Sequence, residues 1–158
     1  MDTMTIMRAV HVLAVVRWIG GVSLVTLVLL PGISRAVPVE QRLALFEMIE
    51  GRFGAQAKLS TVLAAVSGFW MTTELSAWGR FLDPAYWWMS AMVAVWLIFT
   101  VILFIAEPIF LHRWFHNRAR RDPKAAFALV QRLHFGLLGL SAATVAAAVL
   151  GSGLVLIS

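Results

Sequence analysis

Residues 7–30 read MRAVHVLAVVRWIGGVSLVTLVLL, an apolar run interrupted only by Arg8, His11 and Arg17. A helix rises about 1.5 Å per residue, so this run is long enough to cross a hydrocarbon layer of roughly 30 Å. Three further stretches qualify by the same measure: Leu59–Trp78, Tyr86–Leu111 and Leu133–Ile157. Strands of a membrane barrel alternate with period two, and these runs do not. The expected fold is therefore all-α, a four-helix integral membrane bundle forming one transmembrane domain over residues 1–158.

The 158 residues are 61% hydrophobic and 13% charged, with a mean hydropathy of +0.86. Soluble domains carry about 25% charged residues. The net charge of +5 does not mark a nucleic-acid binder, because no basic soluble face with base-reading or base-stacking elements is present. Seven Trp and ten Phe suit lipid-facing and interfacial positions. The chain has no Cys, which excludes disulfides, thiolate metal sites and iron–sulfur clusters. The first run is too long for the apolar core of a signal peptide, and no convincing cleavage site follows Pro31.

Four crossings place residues 31–58 and 111–133 on one side, with both termini and residues 79–85 on the other. All thirteen Lys and Arg except Arg8, Arg17 and Arg80 fall on the first side. Short loops rich in Lys and Arg stay cytoplasmic, so both termini are expected on the periplasmic side of a bacterial inner membrane. Pro38 and the following Val39, Leu43, Phe46, Ile49 and Phe53 suggest an amphipathic helix over about 38–58, lying on the surface or extending the second span. Asp83-Pro84 followed by Tyr86, Trp87 and Trp88 reads as a turn into an aromatic anchor, and a short helix is expected from Pro123. Gly136, Gly139, Ser141, Ala142, Ala143 and Ala146 to Ala148 make the fourth span rich in small residues, which points to the inside of the bundle.

Arg17 lies about 15 Å into the first helix, close to the bilayer centre. A charge there costs between about 2.5 and more than 10 kcal/mol, so a partner, a cavity or an anionic ligand is expected beside it. The plain alternative is a snorkelling or ion-paired arginine. His11 and Trp18 are seven apart and share a helix face; Gly20 and Gly21 leave room there for a flat ligand or a close helix. His112 and His116 end the third span, and His134 opens the fourth at the same level. His112 and His134 are candidate metal or haem ligands, since imidazole suits Fe, Cu and Zn. His11 is separated from them by almost the whole membrane thickness. Its partners at the same depth are Met71, Met89, Ser90 and Met92, and methionine is a known axial haem ligand opposite histidine. Core methionine and interfacial histidine are the plain alternatives. Ser90 and Glu74 are candidate acceptors for the other ring N–H of His11.

The first helix, with His11, Trp18, Gly20-Gly21 and the following Leu30-Pro31, resembles that of HemJ-type membrane protoporphyrinogen oxidases and the related CopD-like membrane domains. Phe46-Glu47-Met48-Ile49-Glu50-Gly51-Arg52-Phe53 is similar to the acidic–basic segment before their second helix. The resemblance implies a bundle of four or more helices, haem b, and His11 as the essential first-helix histidine. That group carries Leu-His-Ala-Lys on its third helix; the matching stretch here is Met89-Ser90-Ala91-Met92, without the histidine or the lysine. The leading expectation is a small membrane haem b protein in electron transfer or haem-linked redox chemistry. Arg17 or Arg8 would stand near a propionate, Trp18, Met89 and Met92 in the site, and a redox partner or quinone, or a second copy of the chain, would be the partner. The alternatives are a CopD-like copper or proton pathway using His112 and His134, and a structural subunit without cofactor.

Overall fold

A computed structural model of the chain describes residues 2–155, apart from the side chains of 110–112, 116 and 153–155. Every regular element among the described residues is helical. Helix α1 (Thr3–Leu24) runs through a π-helical stretch (Val25–Leu29) into α2 (Leu30–Ala36). The cause of the π-helical stretch is local. Pro31 has no N–H to give to the carbonyl one turn back, and the ladder before it widens, Leu30 N–H reaching Val25 O. Val37 is forced into an extended conformation (φ −121°, ψ 136°) by the following proline. This ends the rod, and the Arg42 Nε–H donates to the Val37 carbonyl at 2.8 Å across the turn.

Helix α3 (Val39–Glu74) then returns along α1 and α2. The expected amphipathic segment and the second span are thus one continuous helix, which ends at Glu74 rather than Trp78. Ser76, in the left-handed conformation (φ 50°), leads into 3₁₀ turns over Ala77–Leu82 and Pro84–Tyr86. Asp83 caps the second of these by accepting from Ala85 N–H at 2.9 Å. Helix α4 (Trp87–Val101), a second π-helical stretch containing Pro108 (Ile102–Leu111) and α5 (His112–Arg121) follow. Asp122 accepts from Ala125 N–H at 2.9 Å and opens α6 (Pro123–Val155). The expected short helix at Pro123 is therefore the first part of α6.

Among the described residues, three helical runs are long and apolar enough to cross a membrane: Thr3–Ala36, Pro84–Ile109 and Pro123–Ser152. The uncharged part of α3, 59–73, is bounded by Lys58 and Glu74. That is shorter than the usual twenty or so residues of a span. The outer surface is apolar, unlike that of a water-soluble protein, and hydroxyls are buried beside the apolar core. Thr26, Ser60, Thr61, Ser67, Thr72 and Ser141 are buried, while Leu13, Val28, Val66 and Leu150 are 60–68% exposed. Most of the buried hydroxyls donate to the carbonyl four residues back, as Thr26 does to Val22 O (2.7 Å) and Thr61 to Ala57 O (2.8 Å). They need no water inside an apolar layer. These properties mark a membrane protein.

Two apolar clusters hold the helices together. Val25, Leu30, Ile33, Leu43, Phe46, Phe127 and Val130 pack at the hairpin end. Trp18, Val95 and Phe99 pack nearer the middle, with Trp18 and Phe99 edge to face at 4.8 Å. The Trp96 indole N–H donates to Thr61 O at 3.1 Å, tying α4 to α3. Helix α6 departs from expectation. Gly136, Gly139, Ala142 and Ala143 are exposed, and a side chain added at either glycine would meet nothing within 4 Å. The face of α6 that turns inward is Phe127, Val130, His134, Leu137 and Ser141, spaced three and four apart. Its small residues lie largely on the other face.

Candidate functional site

Among the described residues, Trp18 stands in the wall between two cavities that open between the helices. The first, about 470 Å³, is lined by His11 and falls in the range of small-molecule sites. The His11 Nδ1 lies 2.9 Å from Ala64 O and 3.1 Å from Ser67 Oγ, both on α3. The Ser67 hydroxyl proton is already given to Leu63 O at 2.6 Å, so toward His11 this oxygen accepts. Two acceptors facing Nδ1 place the proton there and leave the lone pair on Nε2, which makes no hydrogen bond among the described residues. The ring is seated on Gly68, where an added Cβ would come within 3.0 Å of Cε1 and 3.3 Å of Nδ1.

Met71, Met89 and Met92 line this cavity with His11, as their expected depth requires, and so does Met4. Arg8 and Arg80 also line it, and Arg17 does not. Trp88 closes part of the wall by lying directly on Gly151, its Nε1 2.8 Å from where a Cβ would stand. This indole N–H is buried and has no partner among the described residues. Ser90 and Glu74 are exposed, and the acceptors for the His11 ring are Ala64 O and Ser67 instead. The signal for these was present as Ser67-Gly68, a small polar pair on the buried face of α3, but nothing in one sequence aligns it with His11.

The second cavity, about 560 Å³, is lined by Arg17, Trp18, Glu47, Glu50, Glu107 and His134 among apolar side chains. Arg17 is exposed at the rim of this cavity and forms no ion pair within 4.0 Å among the described residues. Glu107 is paired with Lys58 of α3 at 3.3 Å, without the alignment of a hydrogen bond. Glu50 stands on the part of α3 that precedes 59–73. Burial, then the Glu107 and Glu47 carboxylates, push its pKa up to about 7, with Lys58 opposing. The His134 Nδ1–H donates to Val130 O, four residues back on its own helix, at 2.9 Å, and its ring meets Phe46 edge to face at 5.5 Å. Gly21 lines this cavity, and both Gly20 and Gly21 face open space.

His11 and His134 thus belong to different cavities, in keeping with their expected separation. The side chains of His112 and His116 lie outside the described residues. Among the described residues, no three His, Asp or Glu side chains converge as metal ligands. What the His11 cavity offers is one imidazole with several thioethers; what the other offers is three carboxylates with one imidazole and one guanidinium. In comparison with known proteins, no family model, no curated protein and no solved structure matches this chain.

Proposed function

We propose that the chain crosses a bacterial inner membrane four times, with both termini periplasmic, and binds haem b in the His11 cavity as an electron-transfer or haem-linked redox protein. The fourth crossing is α3 from about residue 59 onward. Its pairing along α1 and its buried Ser60, Thr61 and Ser67 support a helix shielded from lipid on that face. The orientation rests on the Lys and Arg asymmetry.

One observation carries the haem reading. His11 is held through Nδ1 by two acceptors, and Nε2 is left free on a cavity that methionines also line. Axial histidines are oriented in this way, the second N–H fixed by a carbonyl or hydroxyl. His11 Nε2 from α1 and the thioether of Met89 or Met92 from α4 are the groups that would hold the haem iron. Arg8 and Arg80, rather than Arg17, would balance the propionates. Haem, when bound, supplies one-electron chemistry; the chain orients the ligand, screens it from water and sets its basicity. An absorption spectrum of protein expressed with ample haem tests this. A Soret band that disappears in His11→Ala is expected; its absence from the wild-type protein overturns the reading.

The same donors favour a second reading. One imidazole with Met4, Met71, Met89 and Met92 is a soft set suited to Cu(I), in line with the CopD-like resemblance. Elemental analysis of the same preparation separates the two. Copper at one per chain with no Soret band would replace haem by copper at this site.

A further inference from the structure

The second cavity is used by neither reading, and its chemistry is specific. Arg17 and Leu133 on its rim are exposed on the lateral face of the bundle, next to lipid-facing Leu13 and Val16. A ligand therefore enters from the bilayer. Three carboxylates, Glu47, Glu50 and Glu107, line the cavity, and Lys58 is already engaged with one of them. The three carboxylates outnumber the one arginine of the lining, Arg17, which disfavours an anionic headgroup, and a hydrophilic cation would meet mostly apolar walls. The occupant that fits is neutral, lipophilic and flat enough to lie among Trp18, Phe46 and Phe99.

We propose that this cavity binds the headgroup of a lipid-soluble quinol or quinone. The polar atoms suit a ring hydroxyl that gains and loses a proton. The His134 Nδ1–H is occupied by Val130 O, so Nε2 is an acceptor for a quinol hydroxyl. Trp18 is only 6% exposed and its indole walls the cavity, a flat apolar face for the ring to lie against. Glu50 can give or take a proton near neutrality, beside Glu47, Glu107, Lys58, Arg17 and His134. Trp18 also walls the His11 cavity, so the bound ring and that site would be separated by one indole. The purpose of that arrangement rests on the haem reading; the binding itself does not.

The test titrates a decyl-tailed benzoquinone into the full chain in phosphatidylcholine nanodiscs and follows tryptophan fluorescence. Saturable quenching at one quinone per chain is expected. His134→Ala should weaken it about tenfold, the loss of one buried hydrogen bond. Ala57→Phe, which fills the cavity from α3, should abolish it while helicity is retained, and His11→Ala should leave it unchanged. Quenching that never saturates overturns the proposal. So does saturable binding that His11→Ala removes and Ala57→Phe spares, which would put the quinone in the other cavity. Saturable binding without a Soret band would sustain this site while the haem reading fails.

Discussion

Around His11 the charged groups are two arginines and the nearby donors are thioethers; around Glu50 three carboxylates gather with one histidine. Both histidines give Nδ1–H to a main-chain carbonyl, but the carbonyls differ in kind. That of His11 belongs to another helix, 53 residues away in sequence. That of His134 is four residues back on its own helix. His11 is therefore aimed by tertiary packing, and its orientation exists only when α1 and α3 are docked. His134 is aimed by its own helix and keeps its bond wherever α6 goes. A fixed ligand position needs the first arrangement; a side chain that hands protons to a passing molecule works with the second.

The comparison breaks or holds on exchange experiments. The largest effect is expected from His11→Ala set against His134→Ala: the first abolishes the Soret band, and the second leaves it unchanged in the same expression host. Loss of the band in both would mean that the cavities are one functional site. Next, Ser67→Ala removes one of the two acceptors at Nδ1, and haem retention on dilution should weaken about tenfold. Gly68→Ala presses on the ring from the other side and should lower the unfolding temperature and shift the haem absorption together, by strain of about 1 kcal/mol. A smaller and pH-dependent effect belongs to Glu50. Its pKa is raised in the folded chain, so the folded state holds the proton longer than the unfolded one. Stability is then full below pH 4.5 and falls as pH rises toward about 7. Thermal unfolding in detergent across that window should show a decline on the order of 2 kcal/mol, absent in Glu50→Gln. Smallest of all, Arg17→Leu should leave the haem spectrum as it is, since Arg17 lines only the other cavity.

The apolar runs made the helical fold and three of the candidate spans legible, because length and composition alone decide them. The shared depth of His11, Met71, Met89 and Met92 followed from counting residues along those runs. What the runs do not show is which way a helix faces. A helix that is apolar on all sides carries no stripe to read, so α6 was assigned by its glycines and alanines, and its docking face is Phe127, Val130, His134, Leu137 and Ser141. Arg17 was expected beside a partner, a cavity or an anionic ligand because a charge at that depth needs one, and it stands exposed at a cavity rim. The acceptors of His11 were sought among residues at its level on other loops and helices, Ser90 and Glu74. A main-chain carbonyl, Ala64 O, has no signature in sequence at all.

The π-helical stretch before Pro31 alters the phase of everything after it. At about 100° per residue, an uninterrupted helix would point Leu30 about 120° away from Trp18. A π turn absorbs roughly one residue, and Leu30 comes round to within about 20° of Trp18. That brings Leu30, fully buried, and Ile33, at 4% exposure, onto the inward side with it. The hairpin is one residue longer than its own geometry requires, so a chain shortened by one position within 25–29 would keep both halves of the rod facing α3.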